Sequence, residues 1–231
     1  MLDFHTHILP EIDDGSASVK QSEEMLTMLS GQHVDKIVFT PHFYAEDETP
    51  ESFFRRRDES YQKLLPLLKE KFGDIDFRLS AEVCYYIGVS ALENIERFCV
   101  EKTPLFLLEM PRCRWDAGML SEIRSLARQE KVIVVLVHID RYFDFNPLRT
   151  FEDLSREGVL MQVNCDYLAN KNNKRRIRKL FRRGIMNFIG TDCHNTDDRK
   201  PNYKEAVLNL QKLFDDEAFG ILGFYEEEFF D

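Results

Sequence analysis

The sequence lacks long apolar runs, flexible linkers and low-complexity segments. Its longest apolar stretch, residues 132–137, is far shorter than the roughly 20 residues that a transmembrane helix needs. The first residues show no basic region followed by an apolar core, so no signal peptide is expected. With 231 residues, 43% of them hydrophobic, the chain is predicted to form a single domain over residues 1–231 and to be cytoplasmic, with no membrane span.

Paired cysteines and excess positive charge are also missing. The five cysteines are odd in number and contain no CxxC motif, which argues against a disulfide framework. The net charge is −10, so an extended nucleic-acid surface is not expected, because lysine and arginine dominate affinity for phosphate backbones. Basic clusters at residues 55–57 and 174–183 are either solvated helix faces or docking surfaces for an anionic partner. The acidic end at residues 226–228 is predicted to be solvated.

Strand-like and helix-like segments alternate along the chain. Apolar, β-branched-rich runs occupy residues 2–7, 35–40, 76–83, 105–110, 132–138, 159–164 and 186–191. Helical periodicity occurs between them, for example at residues 19–32, 51–72, 119–130, 148–156 and 175–183. This alternation predicts βα units around a parallel sheet buried on both faces. The predicted fold class is therefore α/β. Seven units favour a distorted seven-stranded (β/α)7 TIM-like barrel over an open doubly wound sheet.

Five of the six histidines follow strand-like runs, together with carboxylates. His5 and His7 are two residues apart, so a strand points both to one face. Because the carboxyl ends of parallel strands meet at one end of a barrel, these side chains should line one pocket. Imidazoles and carboxylates are ligands of divalent metals. The candidate metal ligands are therefore His5, His7, Asp13 or Asp14, His42, Glu82, Glu109, His138, Asp192 and His194.

Two parts of the sequence stand outside this pattern. The sixth strand-like run ends at Asn164 and contributes no obvious ligand. The remaining histidine, His33, lies near the end of a predicted helix and is expected to be structural or exposed.

Five motifs resemble the polymerase-and-histidinol-phosphatase (PHP) superfamily. They are HTHILPEIDDG at residues 5–15, TPH at 40–42, LLEMP at 107–111, HIDR at 138–141 and TDCHN at 191–195. Within that superfamily the chain looks similar to the bacterial metal-dependent protein-tyrosine phosphatases of capsular and exopolysaccharide synthesis. The resemblance implies a distorted seven-stranded barrel and up to three metal ions, often manganese, with iron, cobalt or zinc as alternatives. It also implies a phosphotyrosyl protein substrate, such as a bacterial tyrosine kinase.

The resemblance assigns a role to each matching residue. One metal would be held by His5, His7 and Asp192, with Glu82 bridging to a second metal completed by Glu109 and His138. A third would be held by Asp14, His42 and His194, and spacing leaves Asp13 as an alternative to Asp14. The family's phosphate-binding arginines match Arg141 and Arg199. The chain departs from the family at residues 164–168, where a small-residue stretch with glycine is usual.

Other functions remain as alternatives. Cys193 and Arg199 have the C-x5-R spacing of cysteine-dependent tyrosine phosphatases, but the segment between them has no glycine to let backbone N–H groups cradle phosphate. A small-molecule phosphatase, such as one for histidinol phosphate, or a nuclease would use similar ligands. A metal-stabilised scaffold would be non-enzymatic. The HTHILPEIDDG motif and the acidic charge balance favour the protein-tyrosine phosphatase.

Overall fold

The computed structural model describes residues 1–214 and 217–230. The strands of this part of the chain are β1 (Leu2–Thr6), β2 (Lys36–Phe39), β3 (His42–Phe43), β4 (Asp76–Leu79), β5 (Glu82–Cys84), β6 (Leu105–Glu109), β7 (Ile133–Leu136), β8 (Leu160–Asn164) and β9 (Phe188–Gly190). The α-helices are α1 (Val19–Ser30), α2 (Pro50–Lys71), α3 (Ala117–Ala127), α4 (Leu148–Arg156), α5 (Cys165–Ala169), α6 (Lys174–Arg182), α7 (Tyr203–Phe214) and α8 (Glu217–Phe230).

The strands form a curled parallel sheet with helices outside it. Hydrogen bonding divides them into the orders β1-β2-β4 and β3-β5-β6-β7-β8-β9, and every strand pair is parallel. The two orders are joined at Pro41, whose carbonyl accepts the N–H of Glu82 at 3.0 Å. At the other side β9 approaches β1, where the N–H of Asp192 donates to the carbonyl of His5 at 2.9 Å. The predicted mixed α/β fold with a parallel sheet is confirmed at this level.

Two apolar clusters pack on the two faces of this sheet. The larger one joins the strands to the surrounding helices. The smaller one lies inside the curl, where the rings of Phe4 and Phe188 stack with centroids 4.0 Å apart. Its buried members are Leu2, Phe4, Val38, Val100, Leu105, Leu107, Val135, Val137, Phe188 and Phe230. Burial of both faces explains why the strands are apolar at nearly every position.

Helix α8 packs its last residue into the inner cluster. The guanidinium of Arg78 donates to the carbonyls of Phe229 and Phe230, at 2.9 and 2.7 Å, and lies 4.4 Å from the Phe230 ring. The prediction of a solvated acidic end is therefore only partly right. Glu226 lies 3.7 Å from the amino terminus as an ion pair, whereas its two acidic neighbours are exposed. None of the helices in the described residues is long and apolar enough to cross a membrane.

Candidate metal centre

The carboxyl ends of the strands bring imidazoles and carboxylates together. Four groups each place their ligand atoms within 4.8 Å of one another. The groups are His7, Asp14, His42 and His194; His5, His138 and Asp192; His5, His7 and Glu82; and His42, Glu82 and Glu109. They contain all nine residues of the predicted metal set. They cross the expected partition: His7 also lies with the third group, His138 lies with His5 and Asp192, and Glu109 lies with His42 and Glu82.

Glu82 occupies the middle of this arrangement. Its Oε2 atom lies 3.2 Å from Nε2 of His5, 3.2 Å from Nε2 of His7 and 3.0 Å from Nδ1 of His42. Its other oxygen lies 2.8 Å from Nε2 of His138. The side chain is fully buried. One carboxylate thus touches four imidazoles that come from three different strand ends.

Several of these buried atoms have no hydrogen-bond partner in the described part of the chain. They are Nδ1 of His5, Nδ1 of His42, Oε2 of Glu82, Oδ1 of Asp192 and Nε2 of His194. Buried polar groups are normally paired, because leaving one unsatisfied costs about 1–3 kcal/mol. Nitrogen and oxygen donors of this kind suit zinc, manganese, iron or cobalt. The donor set therefore fits divalent metal ions.

An irregularity in strand β1 sets the direction of the His5 side chain. The β1–β2 register pairs Asp3 with Ile37 but Thr6 with Phe39, so β1 carries one extra residue. A bulge of this kind re-aims side chains. It lets Phe4 join the inner apolar cluster while the next residue, His5, joins the ligand groups.

Three backbone positions around the centre tolerate little change. His138 and Asp192 adopt positive φ angles of 54° and 52°, a conformation that is uncommon for non-glycine residues. Gly15 packs so closely on His7 that an added Cβ would lie 2.2 Å from the His7 carbonyl oxygen. This contact explains the glycine that ends the HTHILPEIDDG motif.

Hydrogen bonds behind the ligands fix their orientation. Oδ2 of Asp13 lies 2.8 Å from Nδ1 of His7, and Oδ1 of Asn164 lies 2.7 Å from Nδ1 of His138. Partners of this kind set the tautomer and direction of a ligating imidazole. Oδ1 of Asp14 lies 3.4 Å from Nε2 of His194. The geometry thus separates the two aspartates: Asp14 faces the ligand groups, and Asp13 supports His7.

Burial and charge shift the protonation of the ligands. Burial lowers the pKa of His5 to about 4. Burial and the neighbouring His7 lower the pKa of His194 to about 3. Although burial alone would raise the pKa of Glu82, the surrounding imidazoles, with His5 foremost, hold it well below its usual range. The neutral forms of His5 and His194 and the ionised form of Glu82 are the forms that bind metals.

The two arginines predicted to bind phosphate reach the same carboxylate. Arg141 donates to Oδ2 of Asp192 and lies 3.4 Å from Oε1 of Glu109. Arg199 donates to Oδ2 of Asp192 at 3.0 Å and to Asp14 at 3.4 Å. Both guanidiniums therefore lie at the edge of the ligand groups, with Arg199 partly exposed.

Cys193 does not have the environment of a nucleophile. Its side chain is fully buried, and burial together with the neighbouring Asp3 raises the pKa of the thiol well above its usual value. A nucleophilic cysteine needs a lowered pKa instead.

The remaining histidine, His33, is exposed, as expected.

A family model described as capsular polysaccharide synthesis, CpsB/CapC, matches residues 1–226. The chain belongs to the CpsB/CapC family. It is 28% identical over 230 residues to the tyrosine-protein phosphatase CpsB of Streptococcus pneumoniae, covering 93% of this chain and 91% of that protein. It is 26% identical over 230 residues to the tyrosine-protein phosphatase YwqE of Bacillus subtilis, with coverages of 94% and 86%.

A solved structure supports the fold of this family member. It comes from work on YwqE of Bacillus subtilis and CpsB of Streptococcus pneumoniae, described as unique metal-dependent tyrosine phosphatases. The two chains superpose with a TM-score of 0.84 at 24% identity, covering 98% of this chain and 93% of the other.

The sequence alone does not reveal that Asn164 and Gln162 lie behind the ligands. The sixth strand-like run, which contains Gln162 and ends at Asn164, offers no obvious metal ligand. Oε1 of Gln162 accepts the N–H of His138 at 2.8 Å, and its amide donates to Asn164 at 3.0 Å. The sequence gives one indication of their role: Gln162 and Asn164 are two residues apart in an otherwise apolar strand, so their side chains point to the same face.

Proposed function

We propose that this protein is a metal-dependent protein-tyrosine phosphatase that hydrolyses phosphotyrosine. The observation that carries the proposal is the convergence of nine nitrogen and oxygen ligands with two arginines at one end of the sheet. A scaffold would have no need to place two guanidiniums beside the ligands. The two relatives described above carry the name tyrosine-protein phosphatase, which agrees with this activity.

The nine ligands would hold up to three divalent ions, with manganese as our first choice. Bound metals supply an activated water and neutralise phosphate oxygens. The chain's own contribution is to keep the ligands in the right form. Asp13 and Asn164 hold His7 and His138 in place, and the shared carboxylate of Glu82 ties the groups together.

Arg141 and Arg199 would bind the phosphate group of the substrate. A guanidinium offers two parallel N–H donors that match two phosphate oxygens. Both arginines now contact Asp192, so an incoming phosphate would take over hydrogen bonds that this carboxylate accepts. Their positive charge would compensate part of the phosphate charge in a protein with a net charge of −10.

Tyrosine suits this centre as a leaving group. Its hydroxyl has a pKa near 10, so it departs with less help from a general acid than an alkyl alcohol needs. Tyr44 follows the β3 strand at the mouth of the site, with its ring 5.1 Å from that of His42 and its side chain partly exposed. An aromatic wall at this position would favour an aryl phosphate.

The proposal also covers the barrel form of the sheet, the identity of the substrate protein and the cellular location. If β2 with β3, and β4 with β5, are each counted as one interrupted strand, the sheet becomes a distorted seven-stranded barrel closed by β9 and β1. The substrate protein would be a bacterial tyrosine kinase of polysaccharide synthesis. A cytoplasmic location is supported by the five cysteines, all of which are free thiols.

A metal-reconstitution assay tests this function. The purified protein is stripped with a chelator, reloaded with manganese or cobalt, and assayed with a phosphotyrosyl peptide, a phosphoseryl peptide and histidinol phosphate. We expect hydrolysis of the phosphotyrosyl peptide, its loss on chelation and its return with metal. Activity confined to histidinol phosphate would establish a small-molecule phosphatase instead. Full turnover by the stripped protein would exclude metal dependence.

A further inference from the structure

Helix α6 carries a cluster of cationic side chains that no carboxylate of residues 1–214 or 222–230 neutralises. We call it the α6 cationic face and define it as Lys174, Arg175, Arg178, Lys179 and Arg182. All five are exposed. Within residues 1–214 and 222–230, none of their side chains forms an ion pair or a hydrogen bond. Four of them also line one surface depression, together with Arg183.

Two of the three arginines in the other basic cluster of the chain are paired with carboxylates. At residues 55–57, Arg56 forms a two-pronged ion pair with Glu48, and Arg57 pairs with Asp58 at 3.3 Å. The chain has 41 acidic residues against 31 basic ones, so carboxylates are plentiful. On α6, in contrast, like charges stand four residues apart, as at Arg175 and Lys179, which destabilises an isolated helix. Carboxylates thus neutralise Arg56 and Arg57, whereas within residues 1–214 and 222–230 none neutralises the α6 cationic face.

The apolar side of α6 packs into the hydrophobic core. Ile177 and Leu180 are fully buried, and Phe181 is nearly so. A helix that lies in a membrane interface must bury an apolar face in the lipid. Since α6 has no such face to offer, it presents charge alone. Three of the five cations are arginines, which bind carboxylate and phosphate groups through a planar fork.

The α6 cationic face is connected to the rim of the metal centre. The guanidinium of Arg176, the remaining cation of the helix, lies 5.4 Å from the ring centroid of Phe143 and 4.0 Å from Asp144. Phe143 follows Arg141 by two residues, on the segment that leaves β7 beside His138. Helix α6 therefore packs, through Arg176, against the segment that carries Arg141 beside the ligands.

We propose that the α6 cationic face docks an acidic segment of the phosphorylated substrate polypeptide while its phosphotyrosine lies in the metal centre. This inference rests on the proposed function. It adds a second contact between enzyme and substrate, besides that of the phosphotyrosine with the metal centre. The nine-residue helix is about 14 Å long at 1.5 Å per residue, so about four residues of an extended chain would lie along it. The face would also attract an acidic polypeptide that the net charge of −10 otherwise repels.

A charge-reversal experiment on the metal-loaded enzyme tests the docking. Arg175→Glu/Lys179→Glu is compared with Lys69→Glu/Lys212→Glu, which makes the same charge change in the last turns of α2 and α7. The substrates are p-nitrophenyl phosphate, a neutral phosphotyrosyl peptide, and the same peptide with a run of glutamates before or after the phosphotyrosine. We expect the wild type to prefer one acidic peptide about tenfold in kcat/KM at low salt. The α6 variant should lose this preference, and the control should keep it.

Further measurements separate the possible failures. Unchanged p-nitrophenyl phosphate kinetics in the α6 variant would show that the metal centre is intact. Binding of an unphosphorylated glutamate peptide, followed by fluorescence anisotropy, reports on docking even if no substrate is hydrolysed. An equal preference in wild type and α6 variant would overturn the proposal. So would α6-dependent binding to phosphatidylglycerol vesicles without any preference for the acidic peptides, since this face would then be a membrane contact.

Discussion

The side-chain oxygen of Asn164 lies 2.7 Å from Nδ1 of His138, at the end of β8. Its amide nitrogen lies 3.4 Å from Oδ2 of Asp192. One residue therefore contacts two candidate ligands that come from different strands. An asparagine oxygen can only accept, so a neutral His138 would carry its proton on Nδ1, and its Nε2, 2.8 Å from Oε1 of Glu82, would be the atom that binds metal.

Asn164→Ala should weaken metal binding without unfolding the protein. Loss of a partner that orients a ligating histidine typically costs about 10- to 100-fold in metal affinity or activity. Metal titration of the stripped protein measures this effect. The matched control is Asn187→Ala, which removes another buried asparagine whose oxygen accepts the N–H of Met161 at 2.8 Å. Equal metal affinities in both variants would show that Asn164 does not support the centre.

The positions of the ligands could be predicted because they depend on a simple rule. Parallel strands bring their carboxyl ends together, so residues such as His42 and Glu109 could be placed near one another from their positions in the chain alone. Each of the seven strand-like runs contains a strand of the structure, although the run at residues 76–83 is divided into β4 and β5. The short strand β3 lies beyond the second run, after Pro41, which has no N–H to donate.

The supporting contacts could not be predicted because they depend on exact side-chain directions. Whether Asp13 or Asp14 faces the ligands is decided by the turn that Gly15 closes against His7. The extra residue in β1 is likewise invisible in the alternation of the sequence. Helix α8 is not evident from the sequence because its apolar residues do not follow a clear helical stripe, and its packing depends on the contact of Phe230 with Arg78.

Arg141→Ala and Arg199→Ala should each reduce kcat/KM while leaving metal content unchanged. Hydrogen bonds to charged groups contribute about 1.5–3 kcal/mol, which corresponds to a decrease of roughly ten- to a hundredfold. Kinetics and metal analysis of the same preparations test both parts. The lysine variants serve as controls, because lysine keeps the charge but loses the planar fork. Normal kinetics in both alanine variants would mean that other groups hold the phosphate.

Asp3 should make the stability of the metal-free protein depend on pH. Burial raises the pKa of its carboxyl from 3.8 to about 7, even though Thr191 donates to it through its hydroxyl and its N–H. Between about pH 4 and 7 the folded state therefore binds more protons than the unfolded chain, and stability falls as the pH rises through this window. Chemical denaturation at several pH values measures the slope.

Asp3→Asn is the variant that isolates this contribution. An amide can accept the N–H of Thr191 and donate to its hydroxyl, so both hydrogen bonds can be retained without a titrating group. The variant should show a flatter dependence of stability on pH between about 4 and 7 than the wild type. An identical slope in the two proteins would assign the pH dependence to other groups.

Cys193→Ser should keep most of the activity, whereas His194→Ala should lose it together with metal. The two residues are adjacent, but their side chains have different surroundings. The Cys193 thiol is fully buried, and burial raises its pKa well above the usual value, so it cannot supply a thiolate near neutral pH. Nε2 of His194 has no hydrogen-bond partner among the described residues and lies 3.4 Å from Asp14.

Kinetics with a phosphotyrosyl peptide and metal analysis of both variants separate the two mechanisms. A metal-dependent enzyme predicts that activity and metal content decrease together in His194→Ala and that both persist in Cys193→Ser. A cysteine-dependent enzyme predicts an inactive serine variant with normal metal content, because serine is too weak a nucleophile to replace a thiolate. Thermal unfolding of Cys193→Ser provides the control for buried polarity, since a hydroxyl in an apolar site lowers stability without removing any ligand.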